Sequence, residues 1–215
     1  MMAIRTGPTH VFVLSPASCT GRRAKLLMRE AADFALARRV RAGEATLGEV
    51  FSFLSGLYFR GKLTYAESFA RPPADTAGVH VVTPTRGLMC AGVTVTLADL
   101  REFAGVDIGT DNAAYRDPLD RSARALAAVL PAETAVVLLG SIATGKYTDG
   151  LGAVFGDRLL FPADFAGRGD MSRGGLLLRC VEERRELRYV PVDGSPRRGR
   201  RPPKLVPRRV RNAAP

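Results

Sequence analysis

The chain has no Trp, two His (His10 and His80) and three widely separated Cys (Cys19, Cys90 and Cys180) in 215 residues. Two His are too few for a His-based metal site, and three distant Cys form neither a disulfide framework nor a zinc pattern. No apolar run reaches the about 18 residues that a membrane span needs, so no membrane partner is expected. The first ten residues lack the apolar core of a signal peptide, and the expected location is cytoplasmic. No Ser-His-Asp set, Cys-His pair or ligand cluster is visible, so neither a metal nor a cofactor is expected. What is present is 46% hydrophobic and 25% charged residues, an ordinary globular composition.

The net charge of +11 is unevenly spread. Residues 196–215 hold no acidic residue and eight basic ones: Arg197, Arg198, Arg200, Arg201, Lys204, Arg208, Arg209 and Arg211. Over residues 1–195, 24 basic and 21 acidic residues remain, a charge of +3. The expectation is one α/β domain over residues 10–195 and a disordered, Pro/Arg-rich tail over 196–215. Such an arm suits a phosphate backbone, because each neutralised phosphate releases counterions. A merely solubilising tail is the alternative.

Strand and helix patterns alternate along the body. Apolar strands are expected at 11–14, 79–83, 135–139, 158–161 and 187–192. A helix is expected over 22–39, with Leu27, Met28, Ala31, Phe34 and Ala35 on one face. Thr46 and Glu49 have capping-box spacing at the start of the next helix, whose apolar stripe runs from Leu47 to Tyr58. Thr96 with Asp99 caps a short helix through Phe103. Asp117-Pro118 places a cap and a first-turn Pro before a helix over 119–130. Further helices are expected over 147–155 and 172–185. The predicted fold is therefore α/β and three-layer: a mostly parallel sheet with helices on both faces, plus the disordered basic tail.

In such sheets ligands sit outside the carboxyl ends of the strands, where four loops share one chemistry. They are residues 15–23, 83–87, 140–146 and 162–175, each combining small residues, hydroxyls and at least one cation. Helix N-termini following the third and fourth would add an attraction for anions. The third loop, Gly140 to Lys146, has the spacing of a phosphate loop, but Tyr147 stands where a magnesium-holding Ser or Thr belongs. The fourth places Gly167, Gly169, Gly174 and Gly175 among Arg168 and Arg173. Gly early in a helix costs about 1 kcal/mol against Ala, a cost expected where backbone must approach something closely. The triplet Arg168-Gly169-Asp170 also spells an integrin-binding motif, set aside because nothing indicates secretion.

Residues 57–65, between helix and strand, interleave Tyr58, Phe59 and Tyr65 with Arg60 and Lys62. One reading is that the rings stack a base while Arg60 and Lys62 hold its phosphate; core packing is the preferred reading for Tyr58 and Phe59, but explains Arg60 and Lys62 less easily. The phosphate-binding candidates are Arg22, Arg86, Lys146, Arg168 and Arg173, with Ser141, Thr144 and Ser172 as hydroxyl donors. Catalytic candidates are weaker: Asp164 and Asp170 are the carboxylates of these loops, and Cys19 is a thiol near Arg22 and Arg23.

Three stretches, Leu54-Ser55-Gly56-Leu57-Tyr58-Phe59-Arg60-Gly61-Lys62, Leu138 to Tyr147 and Phe165 to Arg179, resemble a group of uncharacterised bacterial proteins across most of residues 10–195. More distantly, the order of parts is similar to the uracil-DNA-glycosylase-like superfamily, including the peroxide-stress DNA-binding proteins. That resemblance implies an α/β sheet whose loop ends hold a base and its phosphate. The glycosylases' water-activating motif near the first strand and their His-containing leucine loop are both missing, so the resemblance does not extend to base excision. The expected function is recognition of a nucleotide or nucleic acid at the strand-end loops, with the tail assisting. The alternatives are an enzyme acting on the glycosidic bond or phosphate of a nucleoside or nucleotide, and a scaffold recruiting an acidic partner.

Overall fold

A computed structural model describes residues 8–195 and, beyond them, Gly199, Pro202, Pro203 and Leu205. The apolar runs form one six-stranded sheet. Four parallel strands, β1 (His10–Leu14), β2 (Val79–Thr83), β4 (Ala135–Leu139) and β5 (Leu159–Pro162), are flanked by antiparallel β3 (Gly87–Cys90) and β6 (Tyr189–Pro191). The spatial order is β3-β2-β1-β4-β5-β6. Every residue of β1 is buried, as are Val136 to Leu139 of β4, so both faces of the sheet are covered at its centre. This is the mostly parallel α/β arrangement that the continuous apolar strands imply.

The chain runs outward from β1 through β2 to β3, then returns to the other side of β1 to lay down β4, β5 and β6. The direction of winding therefore reverses between β1 and β4. Their carboxyl ends form the crevice where open α/β sheets place ligands. The four loops singled out in the sequence follow β1, β2, β4 and β5, and the parallel pairing brings all four to one edge.

Several helix boundaries differ from expectation. The helix expected over 22–39 is two, α1 (Arg22–Leu27) and α2 (Ala35–Ala42). Arg41 holds the break by donating to the carbonyls of Arg29, Glu30 and Ala32, and Phe34 stacks on Phe53. The capping box of α3 (Leu47–Ser55) is present at Thr46 and Glu49, but the helix stops at Gly56. Gly56 has φ +65°, the left-handed region that a side chain disfavours, and the chain turns there into α4 (Leu57–Phe69). Residues 57–65 are thus helix, not connecting loop. Strand β3 was also not expected: it returns directly from β2 through a turn in which Thr83 Oγ1 donates to Gly87 O at 2.8 Å.

Helix α5 (Leu97–Ala104) starts at its expected Thr96–Asp99 cap. Helix α6 (Ala113–Val129) begins earlier than Asp117-Pro118 suggested, capped by Asn112 Oδ1 accepting from Ala114 N at 3.1 Å. Pro118 lies inside it. The remaining helices are α7 (Gly145–Phe155) and α8 (Asp170–Glu182). Among the described residues no helix is long and apolar enough to cross a membrane. The tail's basic residues, Arg197 to Arg211, lie outside the described residues. Of its apolar ones, Leu205 packs beside Gly175 of α8.

Candidate functional site

The loops after β1, β2 and β4 enclose a crevice of about 460 Å3 at the carboxyl edge. Its lining comprises Pro16 to Thr20 after β1, Pro84 after β2, Phe103, Val106, Asp107 and Ile108 from the segment before α6, and Lys146 and Tyr147 of α7. A shallower hollow of about 680 Å3 adjoins it, sharing Ile108 and Lys146 and adding Thr144, Gly145 and Asn112. Lys146 is exposed at the start of α7, so a solvated cation and a helix N-terminus face the same space. A separate cavity of about 340 Å3 is lined by Asp149, Asp157 and Asp193 and by no cation, which disfavours an anion.

Behind the crevice lies a group that the loops alone do not reveal. Lys62 projects from α4 to the end of β1 and is 1% exposed. Its Nζ donates to Ser15 O at 2.5 Å and to Ser15 Oγ at 2.8 Å. The ammonium stands 4.5 Å from the Tyr58 ring centre and 4.9 Å from that of Phe59. Burial lowers its pKa from the usual lysine range to about 7, Asp170 opposes that fall and Arg173 adds to it. Among the described residues no carboxylate lies within 4.0 Å of it.

Arg173 of α8 is the second cation of this interior. Its side chain is 13% exposed, and Nε and Nη2 donate to Phe165 O at 3.3 and 3.0 Å. Its nearest carboxylate, Asp170 Oδ1, is 3.8 Å away on a side chain 69% exposed, where solvent weakens the attraction. No hydrogen bond of good geometry reaches the buried Tyr58 hydroxyl among the described residues, and burial pushes its phenol up to about 12 against the opposing pull of the neighbouring Arg173 guanidinium. Burial does the same to Tyr147, which lines the crevice and feels both Tyr58 and Asp170. Ser15, Tyr58, Lys62, Tyr147, Asp170 and Arg173 thus form one cluster where β1 meets α4, α7 and α8.

The residues anticipated from the sequence separate into groups. Lys146 and Thr144 border the crevice and its adjoining hollow, while Ser141 Oγ is occupied in accepting from Ala143 N at 3.2 Å. Arg168 and Ser172 meet at the start of α8, Nη1 donating to Ser172 Oγ at 3.3 Å, beside Asp170 and Arg173. Arg22 is exposed at the start of α1. Arg86 lies apart: it bridges Asp99 at 2.6 Å and Glu102 at 2.5 Å, and its hydrogen bond holds the Glu102 carboxyl below its usual pKa. Asp164 is exposed, and only its carbonyl is engaged, by Arg168 Nε at 2.9 Å. Cys19 lines the crevice, yet burial pushes its thiol up to about 12, which removes the thiolate at neutral pH.

The structure gives two of these loop residues a packing role. The glycine at position 174 meets a helix: a Cβ there would lie 2.8 Å from Leu57 O and 2.9 Å from Tyr58 Cα. Gly61 of α4 is the reciprocal partner, its Cβ position being 2.7 Å from Gly174 O. Thr148, the first hydroxyl residue after the 140–146 loop apart from Tyr147, is buried with its hydroxyl 3.5 Å from both Thr144 O and Asp149 Oδ1. Among the described residues no group of three or more His, Cys, Asp or Glu is placed to hold a metal.

Sequence reasoning had noted Lys62 and Tyr58 as a possible base-and-phosphate contact and Ser15 as a loop residue, but missed that they meet in the interior. One signal was present. The chain has 28 Arg and only four Lys, so a Lys four residues after a Tyr on an apolar helix face departs from its own habit. Arg cannot be deprotonated in a protein, whereas Lys can. No family model, no curated protein and no solved structure matches this chain.

Proposed function

We propose that the protein binds a phosphate-bearing ligand, a nucleotide or the phosphate of a nucleic acid, at the carboxyl edge of its sheet. The observation that carries this reading is the crevice at the β1–β4 reversal, bordered by an exposed Lys146 and a helix N-terminus and backed by two interior cations, Lys62 and Arg173. A cation buried without a matched carboxylate is costly, and a bound anion relieves that cost. The apolar wall of Phe103, Val106 and Ile108 offers a face for a base, the usual combination of apolar lining and few polar anchors in a small-molecule site. The basic tail would add affinity for a longer phosphate backbone.

A second reading, an enzyme acting on the same class of ligand, is favoured by Asp170. It is the one anticipated carboxylate within electrostatic reach of Lys62, Tyr58 and Tyr147. A carboxylate, an amine that titrates near neutrality and two phenols are the means of acid–base chemistry.

Thermal denaturation of the full chain with mononucleotides, nucleosides and short oligonucleotides, at low and high salt, tests both readings. A ligand at 100 times its Kd stabilises by about 2.7 kcal/mol. A shift with a mononucleotide that persists at high salt supports the crevice, and conversion of that nucleotide on incubation supports the enzyme. A salt-sensitive shift with oligonucleotides alone transfers the binding to the tail, and no shift with any of them contradicts the proposal.

A further inference from the structure

We infer that Lys62, Arg173 and the Tyr58 hydroxyl form an inner oxyanion seat that fills with uptake of a proton by Lys62. The inference rests on the reading that this edge of the sheet takes phosphate-class anions, and it names where the anion goes and what binding is coupled to. Three donors point to it. Lys62 Nζ spends two contacts on Ser15 and has a third valence to offer. Arg173 has Nη1 3.8 Å from a solvent-exposed Asp170, and its guanidinium also neighbours the Tyr58 oxygen. The buried Tyr58 hydroxyl has only the donor Arg173 beside it, so its own proton has no acceptor among the described residues. A buried hydroxyl proton with no acceptor is destabilising, and an oxyanion beside it would supply one.

The surroundings set the proton coupling. Facing Lys62 are Ser15 from the end of β1, Tyr58 and Phe59 from its own helix, and Asp170 and Arg173 from α8, with Tyr147 of α7 beside Tyr58 and Asp170. Without an anion, burial and Arg173 favour the neutral amine, and the one carboxylate that opposes them is largely in solvent. An oxyanion placed among these donors reverses the balance and draws a proton onto Nζ. Nothing covalent is required. The proton comes from solvent, and the seat returns to the neutral amine on release. Tyr147 belongs both to the cluster and to the wall of the crevice, which places the seat next to that crevice.

Inorganic sulfate is the probe, because its charge does not change between pH 5 and 9 whereas that of a phosphate does. Calorimetric titration of the full chain in two buffers of different ionisation enthalpy yields the protons taken up per sulfate bound. The expected value approaches one at pH 8.5 and falls toward zero at pH 5.5, with affinity dropping up to tenfold per pH unit above neutrality. Lys62→Met should abolish proton uptake and weaken sulfate at least tenfold, and Tyr58→Phe, which keeps the ring, should weaken it severalfold while preserving the uptake. Circular dichroism of Lys62→Met checks that it folds, and Tyr58→Phe stands as the second test if it does not. Sulfate binding with no proton uptake, or unchanged in both variants, overturns the seat. If a mononucleotide still binds in that case the crevice reading survives, and if no anion binds at all both fall together.

Discussion

An amine removed from water and placed against two aromatic rings holds its proton weakly, and Lys62 carries that property into the stability of the whole chain. Its folded pKa of about 7 lies below the 10.5 of a free lysine. Below pH 7 both folded and unfolded chains bind the proton, and the folded state bears the full cost of a buried charge. Between pH 7 and 10.5 the unfolded chain binds more protons, so stability rises with pH there, by up to about 1.4 kcal/mol per unit. Phenols and thiols whose pKa values are raised by burial oppose this at the alkaline end, so the informative quantity is the difference from a variant. Lys62→Met should exceed the wild type in denaturation midpoint at pH 6 and lose that advantage by pH 9. Parallel curves would show that the amine keeps a lysine's ordinary pKa. At this scale the sequence was informative about side-chain type but not about depth. Lys62 was visible as a cation among aromatics, yet its burial depends on Ser15, 47 residues away, which no local pattern encodes.

Among the elements, legibility followed the range of the interactions that define each boundary. The Thr46–Glu49 and Thr96–Asp99 caps are three residues wide, and both helices start where those residues place them. The break between α1 and α2 contains neither Gly nor Pro and is secured by Arg41 reaching back to residues 29–32, so helical periodicity ran across it. Helix α4 was hidden for the opposite reason: Gly56 and Gly61 look like loop residues, but one turns the chain and the other lets α8 approach. The contact of Gly61 with Gly174 holds Tyr58 and Lys62 against Arg173, and so the packing of α4 on α8 positions the cluster. Gly174→Ala should destabilise by about 1–3 kcal/mol, the usual cost of overpacking. Gly175→Ala, whose nearest neighbour is the Leu205 side chain at 3.4 Å, should be neutral or stabilising by up to about 1 kcal/mol through helix propensity. Urea denaturation of the two variants reads this difference, and equal effects would show that the helices do not meet at Gly174.

For the molecule as a whole, alternation of apolar strands with helices sufficed for the α/β class, because strands buried on both faces must be covered on both. It did not provide the strand order, which rests on pairings between segments more than a hundred residues apart, such as β1 with β4. Once the order is known, one edge collects the four loops, the N-terminus of α7 and the buried cations, and the opposite edge collects none of them. The most direct test of the account is therefore a map of where a nucleotide binds. Backbone amide resonances of the full chain can be followed by NMR while a nucleoside monophosphate is added. Perturbations should concentrate in residues 15–20, 58–62, 140–148 and 168–174. Perturbations centred on the amino ends of β1 and β4, or none at saturating nucleotide, would contradict it.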